Sequence, residues 1–173
     1  MRTLAKDEAL QALTRARDSA RARGQSCLMC ALTARGTSPC HPVPVRGYEH
    51  VEVFLDAFAA RPGHLLLVTK GHYATFSEVP WPVYDELSRL SYAAGKLFEA
   101  RGAKRVFVAQ LGSPLDLPTT YAHAHVHVVP VDETDERARP AAVFSWSSGV
   151  LVYEEGEAEA LALELGRGLS PLR

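Results

Sequence analysis

Three histidines at every second position of HAHVHVVP constrain the fold of this chain more than any other feature. His123, His125 and His127 are separated by the small or branched apolar residues Ala124 and Val126. Alternate side chains of a β-strand point to the same face, so all three imidazoles would line one side while Ala124, Val126 and Val128 pack on the other. The pattern therefore predicts a strand with one histidine face and one apolar face, and hence a sheet.

Apolar runs elsewhere predict the other strands and the main helix. Strands are expected at 49–56, 64–69, 104–110 and 121–130. Residues 82–101 carry apolar side chains at spacings of three and four, which predicts a helix that ends at Gly102. Two strands precede this helix and two follow it, with short links, which favours an α+β fold with an antiparallel sheet and helices on one side.

The flanking segments complete the expected domain organisation. Residues 1–24 are interpreted as a helical N-terminal extension, with the helix over 3–23, and residues 25–173 as the main domain. Residues 25–47 are rich in Gly and Pro and are expected to be loop. Further along, we expect a polar linker at 131–140, a strand at 150–155 and a short helix at 157–168.

Charge and cysteine content argue against several classes of partner. A formal net charge of −1 does not indicate a strongly basic surface for long nucleic acid, although it leaves room for a local basic pocket. No apolar run approaches the roughly 18–20 residues of a membrane span. The N-terminal segment contains Asp7 and Glu8 and lacks the apolar block of a secretion signal, so a cytoplasmic protein is expected. Three cysteines clustered between 27 and 40 are a poor disulfide framework and favour metal binding or redox chemistry.

The histidine row has three possible explanations. Exposed histidines on an edge strand would be incidental, but strict alternation of three needs a cause. A single metal held by all three is geometrically poor, because a strand places Cα123 and Cα127 about 13 Å apart while zinc–nitrogen bonds are ~2.0–2.1 Å. The third explanation is a nucleophile and proton donors that face an anionic substrate, because neutral imidazole is available near pH 7 and can attack phosphorus.

The cysteine pair Cys27-Leu-Met-Cys30 is compact and typical of the pairs that begin zinc sites. The same spacing also fits a redox pair or two incidental thiols, and the supply of histidines is what favours a tetrahedral metal site. Cys40-His41 is a rival source of ligands. Spacing alone does not choose which histidines would complete the site.

HAHVHVVP resembles the signature of the histidine-triad (HIT) family, in which three histidines alternate with apolar residues and two more apolar residues follow. VEVFLDAFAARPGHLLLVTKGH resembles the family's other landmark, a strand ending in Phe-x-Asp, then Gly-His, a second apolar strand and Pro-Lys-x-His. The resemblance runs from about residue 27 to residue 130. It implies an α+β, HIT-like homodimer whose sheets join across the interface and which hydrolyses or transfers nucleotidyl groups.

The resemblance also implies roles for individual residues. His125 matches the nucleophile that attacks the α-phosphate of a small nucleotide, and His127 matches the residue that contacts the phosphate and the leaving group. Asp56 matches the aspartate that accepts hydrogen bonds from ribose, and the Gly-His position is His64. In zinc-containing members the corresponding ligands of a closed structural zinc site are Cys27, Cys30, His72 and His123.

The chain departs from the family pattern at several positions. Ala109 and Gln110 stand where many members carry Asn, Thr69-Lys70 replaces Pro-Lys, and Pro118-Thr119-Thr120 replaces Gly-Gln-Ser. The hydroxyl of Thr120 could still donate to phosphate, but Thr119 lacks the reach of glutamine.

Three functions follow from these features. The leading one is a nucleotide hydrolase or transferase acting on a nucleoside phosphoramidate or dinucleoside polyphosphate. The departures also motivate a nucleotide-binding or interaction module with little catalysis. The third function is a metalloenzyme with a reactive metal at His125 and His127.

Overall fold

The structure is a computed structural model that describes residues 1–25, 27–34, 42–112, 121–132, 134 and 138–170. Its elements are, in chain order, β1 (Arg2–Leu4), α1 (Lys6–Ala22), α2 (Leu28–Thr33), β2 (Val43–Gly47), β3 (Val51–Leu55), β4 (Leu65–Thr69), a 3₁₀ turn (Phe76–Glu78), α3 (Trp81–Ala100), β5 (Arg105–Ala109), β6 (His125–Val131), α4 (Pro140–Phe144), β7 (Val150–Val152) and α5 (Glu157–Gly168). In this part of the chain, no helix combines the length and the apolar character that crossing a bilayer requires.

Five strands form one antiparallel sheet in the order β2-β3-β4-β6-β5. The triad strand β6 therefore lies inside the sheet, between β4 and β5. A second sheet contains only β1 and β7, which pair antiparallel and join the N-terminal segment to the C-terminal part of the chain. The predicted α+β class with an antiparallel sheet is confirmed.

One face of the five-stranded sheet carries the main core. This face carries Leu65 and Leu67 of β4 together with Val126 and Val128 of β6. The residues between them point to the other face. These side chains pack against α3 and α5, whose buried residues include Leu87, Leu90 and Leu165. The three-and-four spacing of α3 thus reflects the apolar stripe that covers this face.

The opposite face is covered by α2, so helices lie on both faces and the expectation of helices on one side is wrong. Met29 and Leu32 of α2 pack against Phe54, Leu66 and Val68. Every residue of β4 is buried. A strand buried on both faces carries a continuous apolar run rather than an alternating one, which explains the sequence LLLVT.

The segment 25–47 was the least accurately predicted part of the chain. It contains α2 and β2, although a loop was expected. Strand β2 lies at the edge of the sheet and has an irregular register between Pro44 and Arg46, which is where a strand tolerates proline.

Two smaller differences occur near the termini. The N-terminal helix begins at Lys6, because the preceding residues form β1, and a short helix that was not expected, α4, begins at the last residue of the expected polar linker, Pro140. The proposed domain boundary at residue 24 stays a prediction.

Candidate functional site

The sheet register directs His125 and His127 to the face that α2 covers. His125 stands opposite Val68 in β4, and His127 stands opposite Leu66. His123 precedes β6 rather than belonging to it, so the strand begins later than the predicted 121–130. Its imidazole nevertheless lies on the same side, against the cysteine pair of α2. The predicted histidine face therefore exists, and its first member lies just outside the ladder.

Four side chains from three segments form a candidate metal centre. Cys27 precedes α2 and Cys30 lies in its first turn, so both thiols meet His72 and His123. The Sγ atom of Cys30 lies 3.3 Å from Nδ1 of His72 and 3.4 Å from Nδ1 of His123, and all four donor atoms lie within 4.8 Å of one another. Tetrahedral zinc with sulfur at ~2.3 Å and nitrogen at ~2.0–2.1 Å requires sulfur–nitrogen separations of about 3.5 Å. The donor set and its spacing fit such an ion.

Thr69 fixes the orientation of His123. Nε2 of His123 donates a hydrogen bond to the backbone carbonyl of Thr69 at 2.8 Å and lies 3.1 Å from its hydroxyl oxygen. Nδ1 is therefore left with the lone pair that a metal needs. Burial lowers the pKa of His123 to about 4, which keeps this lone pair available at neutral pH.

His125 is buried, 2% exposed, and its proton is held on one nitrogen. Nδ1 donates to the backbone carbonyl of His123 at 2.6 Å, which leaves Nε2 with its lone pair. Burial lowers the pKa of His125. Gly112 approaches this contact so closely that an added Cβ would lie 3.2 Å from the same carbonyl oxygen. The geometry therefore presents a neutral imidazole whose lone pair is on Nε2.

A chain of hydrogen bonds sets the proton on His127. The backbone N–H of Ala60 donates to Nδ1 of His64 at 3.1 Å, so His64 carries its proton on Nε2. That nitrogen lies 2.9 Å from Nδ1 of His127, which must accept. His127 is therefore left with Nε2–H as a donor. Burial lowers the pKa of both histidines, so both are neutral near pH 7.

Asp56 joins the strand end to the histidine pair. One carboxylate oxygen accepts the backbone N–H of Phe58 at 2.9 Å, which is the turn role expected of an aspartate at a strand end. The other oxygen lies 3.5 Å from Nδ1 of His64 and 4.0 Å from Nδ1 of His127. Asp56 thus borders the histidine site while it stabilises the turn.

An open cleft of about 550 Å³ brings these groups to the surface. It is lined by Asp56, His125 and His127 and by apolar side chains of α1, α2 and the sheet. A second cavity of about 540 Å³ shares Asp56, His127 and Trp146 with the first. The site can therefore hold a ligand with one part on each side of His127.

Three of the sequence-derived candidates, Thr120 and the rival pair Cys40-His41, lie outside the described residues. The structure also adds residues that the sequence analysis missed: Lys6, Phe58, Gly112, Tyr121 and Trp146. A tryptophan within the polar run SWSSG could have drawn attention, because such a loop has no core to bury it.

Comparison with known proteins gives one family. The profile described as HIT domain matches residues 45–134. An uncharacterised HIT-like protein of Saccharolobus solfataricus is 30% identical over 99 residues, which cover 55% of this chain and 68% of that protein.

Solved structures share the fold at low identity. A hypothetical histidine triad nucleotide-binding protein from Sulfolobus tokodaii aligns with a TM-score of 0.62 at 18% identity, over 83% of this chain and 91% of that one. A zinc-bound histidine triad family protein from Mycobacterium smegmatis aligns with a TM-score of 0.57, also at 18% identity, over 82% and 96%.

Proposed function

Because the chain belongs to the histidine-triad (HIT) family, we propose that it is a nucleotide hydrolase or nucleotidyl transferase in which His125 attacks the α-phosphate of a small nucleotide. The single observation that carries the proposal is the hydrogen bond of 2.6 Å from Nδ1 of His125 to the carbonyl of His123. This bond places the lone pair on Nε2, and His125 lines the cleft. The family supplies the phosphate chemistry, and the fixed tautomer supplies a competent nucleophile.

The proposed reaction has two steps. Nε2 of His125 forms a bond to the α-phosphorus, and the bond from phosphorus to the leaving group breaks with its electron pair going to the leaving atom. Nε2–H of His127 donates to a phosphate oxygen or to that leaving atom. In the second step the oxygen of water or of another acceptor bonds to the phosphorus and releases its proton, and the bond from phosphorus to Nε2 breaks with its electron pair returning to the imidazole. A phosphoramidate and a dinucleoside polyphosphate both fit this scheme.

The nucleoside is assigned to the cleft beside His125. Its walls include Met29, Leu66 and Phe58, which suit the faces of a base, and Asp56 at its edge can accept hydrogen bonds from ribose hydroxyls. Thr120 is retained as the proposed phosphate donor on the resemblance alone.

We further propose that Cys27, Cys30, His72 and His123 hold a structural zinc ion. A zinc-bound histidine triad protein shares the fold, and the four donors have the separations of a tetrahedral site. A four-ligand site leaves no position for a substrate. The ion would link α2 to the segment that precedes β6 and would therefore act as a structural cross-link.

Two variants test the nucleophile and the metal separately. His125→Ala should abolish release of nucleoside monophosphate from a panel of phosphoramidates and dinucleoside polyphosphates while the zinc content stays at one ion per chain. Cys30→Ala should lose the zinc. Metal analysis and circular dichroism on both proteins provide the control, and turnover by His125→Ala at the wild-type rate would refute the proposal.

The second candidate function is a binding module with little catalysis. The residue that the sheet register places opposite His127 favours it. Ala109 stands directly opposite His127, so no amide side chain is present there to assist the donor. Tight nucleotide binding without turnover across the same panel would support this function, and measurable turnover would remove it.

A reactive metal is the third candidate. Asp56, His64 and His127 could together hold an ion. The separation of 2.9 Å between the two imidazole nitrogens is that of a hydrogen bond, and two nitrogen ligands of one zinc ion would lie about 3.3 Å apart. Among the described residues, neither candidate metal group includes His125. A second zinc ion per chain, lost in His127→Ala, would favour this function.

Homodimer formation through the sheet is also proposed. Strand β5 is an edge of the sheet, and Val108 on it is 53% exposed. An unpaired edge with an exposed apolar residue is a ready template for pairing with another strand.

A further inference from the structure

The second cavity lies beyond His127, and half of its lining residues come from segments outside the matched HIT domain. Lys6, Phe144, Ser145 and Trp146 line it together with His127. The domain match spans residues 45–134, so Lys6, Phe144, Ser145 and Trp146 lie outside it. This side of the cavity is therefore formed by the N-terminal and C-terminal segments that flank the matched domain.

Two local structures hold these segments in place. Strand β1 pairs with β7 in the register Leu4 opposite Val150, which positions the first turn of α1. Trp146 precedes β7, and the N–H of Gly149 donates to its carbonyl at 2.9 Å. The ring of Trp146 lies 6.3 Å from that of Phe58, so the indole forms a wall between the two cavities.

The chemistry of the cavity is that of an anion site. Lys6 is exposed at the start of α1 and makes no ion pair with any residue in the described ranges. Ser145 also lines the cavity, but its hydroxyl donates to the backbone carbonyl of Ala142 at 3.4 Å, so the donor that faces the cavity is Nε2–H of His127. Asp56 is the acidic group on the cavity wall, and one of its carboxylate oxygens accepts the N–H of Phe58. A cation together with this imidazole donor favours phosphate oxygens.

We propose that this cavity binds a phosphate-bearing leaving group, with Lys6 offsetting the charge that develops on it. The proposal rests on the proposed function and selects, between the two substrate classes, a nucleotide whose α-phosphate is linked to further phosphates. When Nε2 of His125 bonds to the α-phosphorus, the bond to the bridging oxygen breaks and that oxygen keeps the electron pair. His127 donates a hydrogen bond to it, and Lys6 lies on the same side to neutralise the departing phosphate chain.

The position of His127 supports this assignment of the two cavities. His125 lines only the first cavity, whereas His127 lines both, and the two rings lie 5.0 Å apart. In-line displacement sends the leaving group away from the nucleophile. A nucleoside beside His125 therefore directs its leaving group past His127 and towards Lys6.

The test compares two substrates that differ only in the leaving group. Diadenosine tetraphosphate carries an anionic one, and an adenosine 5′-phosphoramidate of a neutral alkyl amine does not. Lys6→Ala should lower kcat/KM for the tetraphosphate about tenfold, equivalent to about 1.4 kcal/mol, and change it less than twofold for the phosphoramidate. Lys6→Arg should retain most of the activity. The matched control is Lys96→Ala, an exposed lysine of α3, which covers the other face of the sheet.

Binding of inorganic triphosphate, measured by calorimetry, separates this proposal from the proposed function. If the wild-type protein turned over neither substrate, the proposed function would fail, but triphosphate should still bind about tenfold more weakly to Lys6→Ala than to wild type or Lys96→Ala. Equal binding by all three proteins would overturn the subsite. An equal loss of kcat/KM for both substrates in Lys6→Ala would overturn it as well.

Discussion

Trp146 has a left-handed backbone, with φ of 56°, and is the one residue other than glycine with positive φ in the described ranges. A left-handed conformation costs an L-residue roughly 1–2 kcal/mol relative to its usual regions. Glycine avoids this cost but loses about 0.4–1 kcal/mol more than alanine to the entropy of the unfolded chain. Taking about 1.5 kcal/mol for the conformational cost and about 0.7 kcal/mol for the entropic loss leaves a difference of about 0.8 kcal/mol in favour of glycine.

We therefore expect Trp146→Gly to be more stable than Trp146→Ala by about 0.8 kcal/mol, or ~2–3 °C in Tm. Both variants lack the indole, so the comparison isolates the backbone. Urea denaturation followed by circular dichroism gives the two free energies of unfolding. If Trp146→Ala proved equally stable or more stable, the backbone at this position would not be strained.

The same two variants separate backbone strain from the function of the ring. Because Trp146 lines both cavities and contacts Phe58, loss of the indole should raise KM for nucleotide substrates by a similar factor in both. Trp146→Phe keeps an aromatic wall and should retain a KM near the wild-type value. A KM that differed between the glycine and alanine variants would show that the conformation of this loop, and not the ring, determines binding.

Three further outcomes are expected from acidity, packing and assembly. Burial lowers the pKa of His64 and His127, so the unfolded chain binds more protons than the folded chain as pH falls below 6.5. The free energy of unfolding should then drop by up to about 1.4 kcal/mol per pH unit for each histidine. Denaturant titrations at pH 7.5 and 5.5 measure this drop. Gly112→Ala places a Cβ 3.2 Å from a triad carbonyl and should reduce kcat at least about tenfold (about 1.4 kcal/mol), whereas Gly95→Ala in α3, which meets nothing within 4 Å, should leave kcat unchanged. If the proposed homodimer forms through β5, the wild type should be a dimer in light scattering and Val108→Arg on this edge a monomer, whereas a variant that stays dimeric would place the interface elsewhere.

The long elements could be predicted because their period records which face is buried. Helix α3 was expected over 82–101 and is found at Trp81–Ala100, and α5 matches the expected 157–168. In α3 the recurring apolar positions are those that pack on the sheet, so amphipathic spacing and packing are one property.

The short elements could not be predicted, because too few residues are present to show a period. Helix α2 has six residues, which is below the length at which a helix is stable by itself, and its stability comes from Met29 and Leu32 on the sheet. Strand β2 contains Pro44 and depends on its pairing with β3. Both lie in a segment whose composition is typical of loops, so local propensity gave the wrong answer where tertiary contacts decide.

The residue types of the candidate site could be predicted from the sequence, but the contacts between those residues could not. The cysteine spacing indicated a metal site, but the choice of His72 and His123 as partners depends on the pairing of β4 with the triad segment, which sequence spacing does not contain. The hydrogen bond from His64 to His127 likewise joins residues 63 positions apart. Only the resemblance to a family pointed to these partners in advance.

One residue, His123, joins the proposed metal centre to the proposed nucleophile, and it would therefore link the stability of the site to its chemistry. His123 offers Nδ1 to the cysteine pair, and its backbone carbonyl accepts the proton-bearing Nδ1 of His125. A His123 that lost its metal contact could rotate, and the carbonyl that holds the tautomer of His125 would then be less well fixed. Cys30→Ala should therefore lower kcat more than it raises KM, although Cys30 does not line the nucleotide cleft. A Cys30→Ala protein that lost its zinc but kept the wild-type kcat would show that the strand alone orients the nucleophile.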